Sequence, residues 1–137
     1  MTRGSLDNIN CWEDFKSYVE AMPNTKGMGD SFEQLTKLYF LINPIYQSKY
    51  QNVWLLDEVP AKDLEYLELP RQDLGIDLIA RSGSEYHAIQ CKYHSNKNSS
   101  VSNKEISTFT SLLANKKNLT HGYICSTALN TSRNFNK

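Results

Sequence analysis

Asp77 is followed by twelve residues and then by Gln90-Cys91-Lys92, so an acid, an amide and an amine recur at a spacing that a β-hairpin can bring together. Runs rich in Ile, Leu, Ala and Tyr flank Ser82-Gly83-Ser84-Glu85, and a two-residue loop at Gly83-Ser84 suits a II′ or I′ turn. With Ser82 facing Glu85, Asp77 falls opposite Gln90 and Gly75 opposite Lys92. Opposed residues share a face, so Asp77, Gln90 and Lys92 project to one side, and Ile76, Leu78, Ala80, Ile89 and Cys91 form an apolar set on the other. A buried acid, amide or ammonium is costly unless paired. A divalent cation would supply the pairing, because hard ions take oxygen ligands. Asp77, the side-chain carbonyl of Gln90 and the main-chain carbonyl of Cys91 could provide them. Lys92 would stand beside the ion to orient or deprotonate a water, or to hold a phosphate charge.

The pattern Asp77…Gln90-Cys91-Lys92 resembles the PD-(D/E)xK nuclease superfamily in its variant with Gln at the second acidic position; Ile76 stands where the family's Pro would be. Val53-Trp54-Leu55-Leu56-Asp57-Glu58-Val59-Pro60, Asp73-Leu74-Gly75-Ile76-Asp77-Leu78-Ile79-Ala80 and Ala88-Ile89-Gln90-Cys91-Lys92-Tyr93 follow in that order. The succession, from about Gly27 to Thr127, is similar to the N-terminal nuclease domain of type ISP restriction-modification and related helicase-linked enzymes. The resemblance implies an α/β, restriction-endonuclease-like core: a central mixed β-sheet flanked by helices. It also implies metal-dependent cleavage of DNA, with Asp77 and Gln90 binding Mg²⁺, Mn²⁺ as a substitute, and Lys92 orienting the water. Helicase, methyltransferase and target-recognition domains would share the parent polypeptide.

Glu33 carries two readings. The resemblance makes it an acid of the first core helix that reaches the metal, whereas Asp30-x-x-Glu33 is also a capping box with Asp30 as N-cap. Asp57, Glu58 and Asp73 also match the family pattern and are weaker candidates for supporting the site. The acidic, Pro-bounded segment from Asp57 to Asp73 otherwise reads as a solvated connection, Asp63, Glu65 and Glu68 included.

The elements that must position these residues are legible in the apolar spacing. Ile9, Trp12, Phe15, Val19 and Met22 predict a helix over 10–21 that stops before Pro23, with residues 1–26 packing on the rest. Met28, Phe32, Leu35, Tyr39 and Ile42 predict a second helix ended by Pro44. A short strand follows at 52–56. After the hairpin, Ser102-x-x-Glu105 reads as a capping box with Val101 as a hydrophobic staple. The helix it starts buries Ile106, Phe109, Leu112 and Leu113, and Lys116-Lys117 suit its C-terminal end. Residues 120–126 read as a strand, and strand, helix, strand implies a crossover to a parallel neighbour. Residues 130–135 look like the start of another helix, which suggests a chain trimmed from a larger protein.

The 137 residues, with 15 Lys and Arg against 15 Asp and Glu, suit one domain and not two. No apolar run approaches the roughly 20 residues of a membrane span, and no signal peptide is visible. Three widely spaced cysteines, Cys11, Cys91 and Cys125, fit a reducing cytoplasm better than a disulfide framework. Zero net charge argues against a free-standing DNA binder, although Lys92, Lys97, Lys104, Lys116 and Lys117 cluster after the hairpin. Zinc at His87, Cys91 and His94 is disfavoured, because in a strand His94 leaves the face the other two share and no fourth ligand is adjacent. The competing class is an inactive nuclease-like module for DNA binding or partner docking.

Overall fold

The computed structural model describes residues 11–21, 28–70, 75–93, 102–126 and 133–136, and its strands form one mixed sheet in sequence order. β1 (Asn52–Leu55), β2 (Leu78–Ser82) and β3 (Glu85–Lys92) are antiparallel neighbours. β4 (Leu119–Ser126) lies parallel to β3, and β5 (Arg133–Asn136) antiparallel to β4. Among the described residues there are five α-helices: α1 (Trp12–Glu20), α2 (Met28–Ile42), α3 (Pro44–Lys49), α4 (Ala61–Leu67) and α5 (Asn103–Asn115). This is the α/β arrangement that the resemblance implies, with a parallel β3/β4 pair bridged through α5. Among the described residues no helix is long and apolar enough to cross a membrane.

Period-two alternation divides the sheet between two cores. Leu78, Ala80, Ile89, Tyr123 and Cys125 pack with Phe15 and Val19 of α1 and Phe32, Tyr39 and Phe40 of α2. Ile79, Tyr86, Ala88 and Ile124 face the other way and pack with Leu64 and Leu67 of α4 and Phe109 and Leu113 of α5. Each large side chain so buried contributes roughly 1.5–3 kcal/mol.

The β2–β3 register agrees with the sequence, with Ser82 opposite Glu85 and Leu78 opposite Ile89. Gly83 has a φ of 63° while Ser84 stays out of the positive region, so the turn is of the II′ kind, which needs a left-handed residue only at its first position. The regular ladder ends one step earlier than the count predicts. The Asp77 N–H donates to the Ile89 carbonyl at 2.8 Å, one residue away from the expected partner Gln90, which is the offset of a β-bulge. Ile76 consequently joins the core of Ile79 and Ala88, not that of Leu78 and Ala80.

Other elements correct the sequence reading. The α2 stripe is rotated: Thr36, Phe40 and Asn43 are buried beside Phe32 and Tyr39, while Ile42 is 40% exposed. Pro44 does end α2, but it also begins α3, with Asn43 capping through its side chain to the Ile45 N–H. The supposed solvated connection folds into a 3₁₀ turn at Leu56–Glu58 and then α4. Val59, Leu64 and Leu67 give that stretch a buried apolar side that its acidic residues obscure. Asp63 is only 4% exposed and accepts a short hydrogen bond from the Tyr86 hydroxyl. Residues 133–136 form a strand where a helix was expected: pairing with β4 satisfies backbone groups that a polar four-residue segment could not satisfy alone.

Candidate active site

The bulge at Asp77 changes what its carboxylate does. Cys91, whose N–H would have met the regular ladder, instead donates to Asp77 Oδ2 at 2.7 Å, so the acid is fixed against the β3 backbone between Gln90 and Lys92. Charge-assisted bonds of this length are among the stronger ones a protein makes. The Asp77 carbonyl meanwhile accepts from the Leu56 N–H at 3.0 Å, which ties this end of the hairpin to β1.

Alternation along β3 then distributes the remaining candidates. Gln90 and Lys92 share the face toward α5, and Cys91 points toward α2. Gln90 is 7% exposed, and its Oε1 is buried with no hydrogen-bond partner among the described residues. Its Nε2 lies beside Gly75, where an added Cβ would come within 3.2 Å of it; Gly75 also has a φ of 93°, so a side chain there would be both strained and obstructive. Lys92, about a third exposed, has its Nζ 3.7 Å from Glu105 Oε2 on α5. On the α2 side, burial pushes the Cys91 thiol well up, and the charges of Cys125, Asp77 and Glu33 act the same way. Glu33 and Asp77 therefore both lie in the surroundings of Cys91. Cys91 and Cys125 are register partners on β3 and β4, as their apolar settings suggest, and neither is in a disulfide.

Asp30 lies within α2 and not before it, so the capping-box reading of Glu33 fails: a helix that already starts at Met28 has no N-cap at position 30. Glu58 closes the 3₁₀ turn by accepting from the Leu55 N–H at 2.9 Å and pairs with Lys37 at 2.7 Å; the Lys37 ammonium holds its carboxyl below the usual carboxylate range. Asp57 is exposed, and Asp73, Lys97, His94 and Val101 lie outside the described residues. His87 bonds Tyr50 Oη at 2.7 Å and Glu85 Oε1 at 3.1 Å. Among the described residues no three His, Cys, Asp or Glu side chains gather to hold an ion; a cation here would need Gln90 and main-chain oxygen besides carboxylates. The sequence pattern Ser102-x-x-Glu105 identifies Glu105 only as a cap. Its place one helix after the lysine was the available signal.

A family model described as Mrr_cat_2, restriction endonuclease, matches residues 41–137. The chain belongs to the restriction endonuclease family. The matched segment contains Asp77, Gln90 and Lys92 and excludes Glu33. No curated protein matches the chain. A solved structure, the ATP-dependent type ISP restriction-modification enzyme LlaBIII bound to DNA, is similar at 32% identity with a TM-score of 0.56, covering 86% of this chain and 6% of that one. This restriction endonuclease domain thus spans a small part of the length of its structural relative, and its PD-(D/E)xK resemblance stands on family, fold and residues together.

Proposed function

We propose that this domain hydrolyses DNA phosphodiester bonds with Mg²⁺, Mn²⁺ substituting, as the nuclease module of a larger cytoplasmic restriction enzyme. Residues 1–137 act in this reading as one domain, with helicase, methyltransferase and target-recognition functions elsewhere in the parent polypeptide. The observation that carries it is the buried Gln90 Oε1, which has no partner among the described residues, beside an Asp77 fixed by the Cys91 N–H and a lysine. A buried carbonyl oxygen without a donor costs about 1–3 kcal/mol, and a hard cation would remove that cost. The donor set therefore fits the ion: Asp77 and Gln90 would hold it, with the Cys91 main-chain carbonyl and Glu33 as further ligands. When bound, Mg²⁺ supplies the charge that polarises a scissile phosphate and lowers the pKa of a water.

This chain's own residues do the rest. The Cys91 N–H holds Asp77 in one orientation, so its carboxylate need not reorganise when substrate arrives. Lys92 donates to the attacking water or to a phosphoryl oxygen as negative charge grows there. Gln90 contributes an uncharged oxygen, which leaves a less negative site than two acids would make and lowers repulsion of the DNA backbone. Gly75 leaves open the space that the Gln90 amide occupies.

The test is cleavage of duplex DNA by this chain under single-turnover conditions, with Mg²⁺, with Mn²⁺ and with chelator. Cleavage that requires the ion and is lost in Asp77→Ala is expected. Cleavage at an unchanged rate in Asp77→Ala, or in chelator, refutes the reading.

A further inference from the structure

The two oxygens of Glu105 serve two elements. Oε1 accepts from the Ser102 N–H at 3.0 Å, closing the capping box of α5 while the Glu105 N–H donates to Ser102 Oγ at 3.1 Å. Oε2 faces the Lys92 ammonium across 3.7 Å. Lysine is a compact charge on a flexible four-carbon stem, and Lys92 sits at the last position of β3, where no further ladder residue confines it. Something must choose among its rotamers.

Glu105 is placed to do so. It is itself held by its bond to Ser102 N–H, and α5 is seated on the sheet by Phe109 and Leu113, which are 1% and 2% exposed. The path from packed helix to capped carboxylate to ammonium is thus a rigid one. We propose that Glu105 is a positioning residue for the reaction: it draws the Lys92 Nζ toward the α5 face, the face Gln90 shares, and away from its other rotamers in solvent. The proposal rests on the nuclease reading above and adds to it a residue outside the Asp77, Gln90 and Lys92 pattern. An exposed ion pair contributes little to stability, so the importance of the contact lies in geometry. A displacement of a reacting group by about 1 Å can cost about 100-fold in rate.

Two substitutions separate positioning from capping. Glu105→Gln keeps an oxygen for the Ser102 N–H but removes the charge that attracts Lys92. Ser102→Ala removes the hydroxyl half of the cap and leaves the ion pair. The expected result is that Glu105→Gln lowers the single-turnover cleavage rate about 10- to 100-fold with DNA affinity, read by fluorescence anisotropy, unchanged. Ser102→Ala should lower the unfolding midpoint more than Glu105→Gln does, yet keep the rate within about twofold. Equal rate losses in the two variants, or a loss in Glu105→Gln that appears only as weaker DNA binding, overturn the proposal. A zero-length carbodiimide cross-link between Lys92 and Glu105, mapped by mass spectrometry, tests the contact without any cleavage. Failure to form it while the wild-type chain cuts DNA refutes the positioning role alone. The cross-link consumes the Lys92 ammonium, so cleavage is read on the unmodified chain: if that chain cuts nothing with either ion, the nuclease reading is refuted, and the positioning role with it.

Discussion

Tyr50→Phe is expected to destabilise the domain by about 1–3 kcal/mol, the cost of stranding a buried polar partner, because it removes one hydroxyl from a buried chain of contacts. Tyr50 and His87 are 7% and 3% exposed, and Tyr50 Oη lies 2.7 Å from His87 Nδ1 and 3.3 Å from the Tyr123 hydroxyl. On the other side of the ring, Nε2 lies 3.1 Å from the Glu85 carboxylate, which can only accept. The neutral imidazole therefore carries its proton on Nε2, and Nδ1 accepts from Tyr50. Phenylalanine conserves the ring packing, so the loss isolates the hydrogen bond. Urea denaturation near pH 8, where imidazole is neutral, measures it as a lower midpoint at unchanged slope. A difference below about 0.5 kcal/mol would refute the argument.

The same cluster sets a pH dependence. Burial lowers the His87 pKa from its ordinary 6.5; Glu85 opposes this, while His121 and Lys49 reinforce it. With the folded pKa below the unfolded one, the contribution to stability is complete above about pH 6.5 and is lost as pH falls through the folded pKa. Wild-type stability should therefore decline on acidification from that point, and His87→Gln should flatten the decline; a parallel decline in that variant would show that another group causes it.

Three further outcomes follow from the packing and the site. Gly122→Ala places a Cβ 2.5 Å from Leu113 Cδ1 and 2.8 Å from Phe109 Cε2, so α5 must lift from β4 at a cost of about 1–3 kcal/mol; an unchanged melting temperature would contradict this. Gln90→Met removes the orphaned oxygen, and should leave the apo-domain as stable as wild type or up to about 1 kcal/mol more so. It should abolish any rise in melting temperature on adding Mn²⁺, and a retained rise would remove Gln90 from the ligand set. Glu33→Gln is expected to slow cleavage at constant unfolding midpoint, and wild-type rates in that variant would exclude Glu33 from the chemistry.

The hairpin was legible in the sequence because its determinants are local. Period-two alternation sets which side chains share a face, and a glycine at the turn sets the register from Ser82–Glu85 to Leu78–Ile89. The capping box at Ser102 and Glu105 and the parallel β3/β4 pairing were legible for the same reason: short-range patterns with few alternatives. The family pattern of Asp77, Gln90 and Lys92 depends on residue order, which any chain displays. Tertiary structure alone decided where the regular ladder stops, since the bulge at Asp77 reflects competition between the Cys91 N–H, the Asp77 carboxylate and the Ile89 carbonyl. It decided that Asp63 is buried, because the partner that makes burial tolerable, Tyr86, comes from a strand beyond the loop. It turned residues 133–136 into a strand through the edge of β4. It also gave Glu105 its second contact: Lys92 lies thirteen positions earlier in the chain, and only the packing of α5 against the sheet brings the two charges together.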